Sequence, residues 1–481
     1  MNMTFIVLLA SLLIQTTAST TKIIFGSCSK VNEPQPLWPS ILSRNPQLFA
    51  WLGDNIYSDR RHPNDKLSIL KQAFSRDSEN LTKRLKPGQR PRFKPKTYQQ
   101  HQEMYNQQKQ IPEYALLSKT VPIIGTWDDH DCGINDADKY FSHKAERQQL
   151  HLDFLDVSLT DPRRQRQGVF NSYIVGRIKV ILLDTRFHRD PWPWHPGAKD
   201  PIEMSDVLGD EQWEWLEKEL TTVLKNDIDL VLVGSGFQVL PVVAMASGKH
   251  ETWYHFPSSK QRLLKLLSKS NVASILLSGD VHYAEVSSEV CTFKNTDDTK
   301  RVIEFTSSGL THAWNGPLNW PKPMPAPLAF RFAWFLWNFV GINPWRTHAY
   351  PGLNFGEIEL LDQDNVVLRS IGVDNRTKFE LTIQLNELIG GNDGNDGNDD
   401  EKDDVMKCTP MYGTPTQLRI YVSKGLFLGM VLLFVVGILY GIGKLFWKCC
   451  CCICGGNVKT KKNRRDLELR KYRYLVHLKK R

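Results

Sequence analysis

Short apolar segments that end in small and polar residues constrain the fold of this chain more than any other feature. The segments read "KIIFGSC", "LFAWLGDN", "VPIIGTWDDHD", "KVILLDTR", "LVLVGSG" and "SILLSGDVH". A short apolar run bounded by turn residues is typical of a buried strand. Helical patterns such as "LGDEQWEWLEKELTTVL" and "SSKQRLLKLLSKS" alternate with them, and "FGEIELLD" and "NVVLRSIGV" are predicted as adjacent closing strands. We therefore predict one α/β domain over residues 20–388.

Four of the predicted strand ends carry side chains that can hold a metal. They are Cys28 in "FGSCS", Asp54 and Tyr57 in "GDNIY", Asp129 and His130 in "WDDHD", and Asp280 and His282 in "GDVH". Each alone is a weak signal, because an Asp after a strand is more often a cap or turn residue. Open α/β sheets bind ligands at the carboxyl ends of their strands. The joint pattern therefore favours one shared site.

The charge of the chain is concentrated at its C-terminal end. Residues 444–481 hold 13 Lys or Arg and two Asp or Glu, a net +11, which leaves −2 of the total +9 for the rest. Composition is that of a folded protein, with 41% hydrophobic and 10% aromatic residues. Because the main body is close to neutral, we expect no nucleic-acid partner.

The two ends of the chain carry apolar segments of different kinds. Residues 1–19 have an apolar core followed by small residues, which predicts a signal peptide; a buried strand is the alternative. Residues 424–447 include an uncharged stretch long enough to cross a bilayer, and a buried core helix is the alternative. The basic tail, residues 448–481, follows and should be cytosolic. These features predict a single-pass type I membrane protein with a luminal or extracellular body.

The nine cysteines divide between the tail and the body. Five lie in the tail, where S-palmitoylation, a zinc cluster and no function at all are open alternatives. The other four are Cys28, Cys132, Cys291 and Cys408, and they allow three full disulfide pairings. Sequence does not choose among these pairings.

Other segments fit a glycosylated ectodomain. Asn80 and Asn375 lie in glycosylation sequons. Residues 389–423 begin with acidic low-complexity sequence and are predicted as a flexible tether, with weak calcium binding as an alternative. The aromatic-rich residues 327–343 are predicted as core or a lid, or alternatively as a patch that dips into a membrane.

These motifs resemble the metallophosphoesterase superfamily, and within it the PhoD-like (alkaline phosphatase D) branch. The superfamily carries Asp-x-His, Gly-Asp-x-x-Asp, Gly-Asn-His-Glu and Gly-His-x-His at strand ends. The corresponding places here are Cys28, residues 53–57, residues 129–131 and residues 279–282. The cysteine, the tyrosine and the wording "SGDVHYAE" mark the PhoD-like branch, and its eukaryotic, membrane-anchored members most. The resemblance implies a four-layer α/β/β/α sandwich, to which the C-terminal transmembrane helix would be added.

The resemblance also implies roles for single residues. The implied metal ligands are Cys28, Asp54, Tyr57, Asp129, Asp280 and His282. The implied cofactors are two or more metal ions, ferric iron with calcium or another divalent cation, and Asp54 would bridge two of them. A hydroxide held between the cations would attack phosphorus in line. His130 would protonate the leaving group, and Arg186 would bind the phosphate.

Two departures from the branch concern these residues. Asp131 stands where the branch often has Glu, which shortens the side chain by one methylene. Cys28 could not ligate a metal if it were bonded to Cys132, whereas a Cys291–Cys408 pair would leave it free. We expect Cys28 to be a ligand, because cysteine and tyrosine occur together in this branch.

We therefore predict a metal-dependent phosphoesterase, most simply a phosphomonoesterase, with a phosphate ester as substrate. One alternative is a phosphodiesterase or phospholipase-like hydrolase of the same fold. The other alternative is a non-catalytic membrane receptor with a phosphatase fold that has lost its activity.

Overall fold

The structure, a computed structural model, divides the chain into two compact units. Residues 20–61, 93–191, 204–222, 228–241, 251–270, 272–292, 299–313, 346–388 and 407–411 are described, with residues 429 and 437. The first unit comprises Met1–Phe332 and Asn343–Thr414, and the second comprises Ala333–Ile342 and Pro415–Arg481. All strands and helices below belong to the first unit.

The first sheet contains six strands within the described residues. They are β1 (Thr21–Gly26), β2 (Leu48–Leu52), β5 (Ile123–Thr126), β13 (Asn354–Leu360), β14 (Asn365–Gly372) and β15 (Thr377–Gln384). Their order is β15-β14-β13-β1-β2-β5. Strands β1, β2 and β5 are parallel, and β13 to β15 are antiparallel. The carboxyl ends of β1, β2 and β5 therefore lie at the same edge.

The second sheet contains eight described strands. They are β6 (Asn171–Val175), β7 (Ile178–Leu182), β8 (Leu230–Ser235), β9 (Ala273–Ser278), β10 (Ala284–Thr292), β11 (Thr299–Ser307), β12 (Arg346–Tyr350) and β16 (Lys407–Pro410). Their order is β12-β10-β11-β9-β8-β7-β6, and β16 pairs with β10. Strands β7, β8, β9 and β11 are parallel. A separate two-stranded sheet pairs β3 (Asp59–Arg61) with β4 (Phe93–Pro95) in antiparallel orientation.

Seven α-helices lie among the described residues. They are α1 (Trp38–Ser43), α2 (Tyr98–Lys109), α3 (Pro112–Thr120), α4 (Asp129–Cys132), α5 (Lys144–Phe154), α6 (Asp210–Thr221) and α7 (Pro257–Lys269). Thr97 and Gln100 form a capping box at the start of α2. Helices α3 and α7 begin with proline, whose missing N–H is not needed in the first turn. Helix α6 has Asp210 and Glu211 in its first turn, where carboxylates favour the helix dipole.

Three hydrophobic clusters arrange these elements in layers. Phe25 of β1 and Phe305 of β11 belong to a cluster between the two sheets. Trp213 of α6 and Leu263 of α7 pack on the outer face of the second sheet. Helices α1 to α3 and α5 pack on the outer face of the first sheet, where Trp38 contacts Trp51. The predicted mixed α/β fold is confirmed, and the layers run helix, sheet, sheet, helix.

Part of the predicted linker belongs to the second sheet. Residues 407–410 lie inside the predicted segment 389–423 but form β16, which pairs antiparallel with β10. A disulfide joins Cys291 of β10 to Cys408 of β16. Composition alone placed these residues in a tether, because a four-residue edge strand has no distinctive pattern of its own.

Within the described residues, no helix is long and apolar enough to cross a bilayer. Most of the predicted span 424–447 lies outside the described residues, as do the predicted signal peptide, the basic tail, Asn80 and the aromatic segment 327–343. Asn375, the second sequon, is exposed in the turn between β14 and β15.

The two sheets meet at their strand ends. A Cβ placed on Gly279, directly after β9, would lie 2.5 Å from the carbonyl oxygen of Leu52 and 2.6 Å from Ser27 Oγ. It would also lie 2.9 Å from the carbonyl oxygen of Gly236. Only glycine permits this close backbone approach. The ends of β1, β2, β8 and β9 therefore converge on one place.

Candidate metal centre and active site

Four of the predicted ligands have a left-handed backbone. The φ angles are +63° at Cys28, +51° at Asp54, +69° at Asp280 and +62° at His282. This region is uncommon for residues other than glycine and costs about 1–3 kcal/mol at each position. Such strain is typical of functional sites. Here it turns each side chain sharply away from the strand that precedes it.

Asp54 lies at the centre of the converging side chains. It is 1% exposed, and its Oδ2 accepts a hydrogen bond from Tyr57 Oη at 2.9 Å. Its Oδ1 is buried and has no hydrogen-bond partner among the described residues. Burial raises the pKa of Asp54 well above its ordinary value, with His130 opposing and Asp129 adding to the rise. A buried carboxylate oxygen without a partner is costly, so Asp54 is a candidate for binding a cation.

Sulfur, phenol and imidazole groups face one side of Asp54. Cys28 is a free, buried thiol, 3.5 Å from Asp54 Oδ2. Tyr57 Oη lies 3.3 Å from His282 Nε2. Ligand atoms of Cys28, Asp54 and His282 lie within 4.8 Å of one another. Burial, with Asp54 as the next cause, raises the pKa of the Cys28 thiol and the Tyr57 phenol well above their ordinary values.

Asp54 also belongs to a second group of ligand atoms. Oxygen or nitrogen atoms of Asp54, Asp129 and His130 lie within 4.8 Å of one another. Asp129 accepts from the backbone N–H groups of His130 at 2.8 Å and Asp136 at 2.6 Å. Burial raises the pKa of Asp129, but the charges of His130 and Arg186 and these hydrogen bonds lower it to about 2. Asp54 is thus shared by two groups of possible ligands.

Asp280 occupies the same strand end as His282, but it belongs to neither group of ligand atoms. Asp280 as a whole residue is partly exposed, but its carboxyl group is buried. Burial, followed by the charges of Asp128, Asp129 and Asp54, raises its pKa well above the ordinary value. The structure therefore places Asp280 at the site, in the electrostatic field of the other carboxylates.

His130 pairs with a carboxylate that the sequence interpretation did not single out. Its Nδ1 lies 2.9 Å from Asp59 Oδ1, and Asp59 Oδ2 accepts from the N–H of Asn135 at 2.8 Å. The His130 ring packs on Tyr57 with centroids 4.1 Å apart. Burial lowers the pKa of His130, but Asp129, Asp54 and Asp59 raise it well above the ordinary value. The Asp59 contact and the packing on Tyr57 therefore hold the imidazole in a fixed orientation.

Arg186 is fully buried and holds two carboxylates. Its Nε lies 2.5 Å from Asp128 Oδ1, and its Nη1 lies 2.6 Å from Glu251 Oε2. Its Nη2 has no hydrogen-bond partner among the described residues. These contacts assign Arg186 a part in fixing Asp128 and Glu251. Its predicted contact with phosphate stays a prediction.

Asp131 connects the two loops that carry the ligands. Its carboxylate accepts from the N–H groups of Asn55 at 3.2 Å, Ile56 at 3.1 Å and Asp128 at 3.0 Å. It also accepts from Tyr105 Oη at 3.3 Å. The loop after β2 and the start of α4 are therefore held together by one buried side chain. The sequence motif identified Asp131 only as a replacement for Glu and did not predict these contacts.

His312 was missed by the sequence interpretation. It follows β11, and its Nε2 lies 3.0 Å from Tyr57 Oη and 3.2 Å from His282 Nε2. Burial, with the charge of His282 next, lowers the pKa of His312 well below its ordinary value. The stretch "VIEFTSSGLTH" has the same form as the other strand ends, so an apolar run followed by small residues and a histidine was an available signal.

A solved structure shares this fold. The structure of PhoD superimposes with a TM-score of 0.53 at 15% sequence identity, covering 76% of this chain and 68% of that chain. A purple acid phosphatase from yellow lupin gives a TM-score of 0.45 at 13% identity, covering 76% of this chain and 54% of the other. The likeness to PhoD supports the fold.

Sequence comparison agrees with the motifs. The chain is 23% identical over 293 residues to alkaline phosphatase D of Bacillus subtilis. This match covers 56% of the chain and 47% of the relative, so the chain spans about half the length of that protein. The family model for PhoD-like phosphatases matches residues 23–320, which is more than half of the chain. The chain therefore belongs to the PhoD-like phosphatase family.

Proposed function

We propose that this chain is a metal-dependent phosphoesterase that hydrolyses phosphate monoesters with a centre of two metal ions. The position of Asp54 carries the proposal. One buried carboxylate belongs to two groups of ligand atoms, and its Oδ1 has no partner among the described residues. A carboxylate can give one oxygen to each of two cations, which would satisfy both oxygens.

The donor set fits such a centre. Cys28, Tyr57 and His282 would hold one cation on their side of Asp54, and Asp129 would hold the other. Asp280 lies near enough to add its charge. Burial opposes loss of the proton from the Cys28 thiol and the Tyr57 phenol, and a bound cation would favour it. The family resemblance suggests ferric iron for this cation, with calcium or another divalent ion as the second metal. Bound cations would supply a strong nucleophile and polarise the phosphoryl oxygens.

The remaining residues would handle protons and charge. His130, oriented by Asp59, would give a proton to the departing alcohol oxygen. Arg186 would hold Asp128 in place and offer its remaining N–H groups to the phosphate. Asp131 would hold the loop that carries Asp54 beside the segment that carries Asp129.

Measuring the metal content and the phosphatase activity of the purified chain tests the proposal. The purified full chain should contain metal by elemental analysis and should hydrolyse an aryl phosphate monoester. Asp54→Asn should lose both properties. A wild-type chain that folds, contains no metal and shows no hydrolysis would contradict the proposal.

The choice of substrate separates the alternatives. Faster hydrolysis of a bis-aryl phosphate diester, or of phospholipid vesicles, would replace the monoesterase with a diesterase or lipase-like enzyme. Failure on all three substrates by a metal-loaded protein would favour the receptor.

We also propose that the domain works outside the cytosol, as a type I membrane protein. The Cys291–Cys408 disulfide supports this placement, because such bonds persist in oxidising compartments. Labelling of glycans at Asn375, with Asn375→Gln as the control, tests it. A chain that reaches the secretory pathway without a glycan at either sequon would contradict the glycoprotein prediction.

A further inference from the structure

His312 lies beside the predicted ligands but belongs to none of the sequence motifs that contain them. Its Nε2 lies 3.0 Å from Tyr57 Oη and 3.2 Å from His282 Nε2. Two ligand atoms at about 2.1 Å from one cation and at right angles stand about 3 Å apart. The spacing of these three atoms is therefore that of neighbouring ligands.

The hydrogen bonds of Thr311 decide which nitrogen of His312 carries the proton. The Thr311 hydroxyl accepts from the N–H of Lys30 at 2.8 Å and donates to the carbonyl oxygen of Cys28 at 3.2 Å. It also contacts His312 Nδ1 at 3.0 Å. A hydroxyl has one proton, so all three contacts are satisfied only if Nδ1 donates to the Thr311 oxygen. The lone pair of the neutral ring is then on Nε2.

This arrangement is the one found around metal-bound histidines. One ring nitrogen donates to an oxygen that fixes the ring, and the other faces the metal. Thr311 also contacts the backbone carbonyl of Cys28, itself a predicted ligand. The loop after β11 is therefore tied to the end of β1 at the point where the metal would bind.

We infer that His312 is a further ligand of the metal centre, through Nε2, on the side of Tyr57 and His282. The inference rests on the proposed metal-dependent function. It adds a ligand from the loop after β11. The other proposed ligands come from the ends of β1, β2, β5 and β9. It also gives Thr311 the role of a positioning residue that fixes the His312 ring.

Metal retention by the full chain tests this inference without relying on activity. Metal content is measured by elemental analysis after dialysis against increasing concentrations of a chelator. His312→Ala should lose its metal at a chelator concentration roughly 100-fold lower than the wild type does. Thr311→Val should lose its metal at a chelator concentration about 10-fold lower than the wild type does. Thr311→Ser keeps the hydroxyl and should retain metal as the wild type does. His143→Ala removes a half-exposed histidine paired with Glu146 and should change nothing.

The outcomes separate the two proposals. A wild-type chain without metal overturns the proposed function and this inference together. A metal-loaded wild type and an equally retentive His312→Ala overturn the inference alone. If His312→Ala does not fold, His312→Phe preserves the ring beside Tyr57 without a lone pair, and full metal retention by that variant overturns the inference.

Discussion

Two parts of the site bury carboxylates in different ways. In the arginine region, formed by Asp128, Arg186, Arg189 and Glu251, guanidinium groups contact both carboxylates. In the ligand region, formed by Cys28, Asp54, Tyr57 and His282, the nearest partners of the carboxylate are a thiol and a phenol. Both regions are almost fully buried at their carboxylates.

The difference shows which buried carboxylate lacks a positively charged side chain beside it. A buried carboxylate is tolerated when a hydrogen-bonded cation accompanies it. Asp128 has Arg186 as that cation, whereas Asp54 has an unpaired Oδ1 within the described part of the chain. Asp128 Oδ2 likewise has no hydrogen-bond partner among the described residues. The two regions therefore differ in their cations: guanidinium groups contact Asp128 and Glu251, whereas within the described residues no arginine or lysine contacts Asp54.

The largest effect is expected from Asp54→Asn. The variant loses a charge shared by both metal sites, which removes several kcal/mol of transition-state stabilisation. At about 1.4 kcal/mol for each factor of ten, the rate of monoester hydrolysis should fall about 1,000-fold or more. Steady-state kinetics with elemental analysis measure this. Asp364→Asn, on the exposed turn between β13 and β14, is the matched control and should behave as wild type.

Arg186→Met should act on stability rather than on metal content. It leaves Asp128 and Glu251 without their shared cation, and breaking a buried pair costs about 3–5 kcal/mol. Urea unfolding measures the loss, and the double variant with Asp128→Asn should recover part of it. Unchanged stability with a raised KM would instead show that Arg186 acts mainly on phosphate.

Metal removal should destabilise the protein through the ligand region alone. At a free metal concentration of about 100 times Kd, bound metal adds about 2.7 kcal/mol to folding stability. A chelator should lower the unfolding temperature of the wild type and leave Asp54→Asn nearly unchanged. Arg186→Met should show the same decrease as wild type, and a smaller decrease would mean that the two regions are coupled.

The smallest effect is expected from Asp59→Asn. Asp59 is one of the charges that raise the pKa of His130, so its removal should lower that pKa. A general acid works while protonated, and the high-pH limb of the kcat profile should therefore move to lower pH. A decrease in kcat of roughly 10-fold or more at alkaline pH is expected. An unshifted limb would show that His130 is not the acid.

Much of the sheet core was predictable from local sequence. Strands β1, β2, β5, β8 and β9 are continuous apolar runs because both faces of each sheet are covered. The closing strands β13 and β14 pair as expected. Their place beside β1 was not predictable, because pairing across more than 300 residues leaves no local pattern.

The candidate site was predictable in its residue types and less so in its contacts. The structure brings Cys28, Asp54, Tyr57, Asp129, His130 and His282 together. Sequence did not show that Arg186 is held by two carboxylates, that Asp59 pairs with His130, or that Asp131 binds three backbone N–H groups. The preference for a free Cys28 agrees with the observed Cys291–Cys408 pair.

The sequence by itself determined which chemical groups stand at the strand ends, because apolar runs and the polar residues after them are local properties of the chain. Tertiary structure alone decided which carboxylates are neutralised by arginine and which are left for a cation. Asp128 and Arg186 are 58 residues apart, and His312 is 255 residues from Tyr57. Electrostatic pairing depends on distances of a few ångströms in space, and only folding sets those distances.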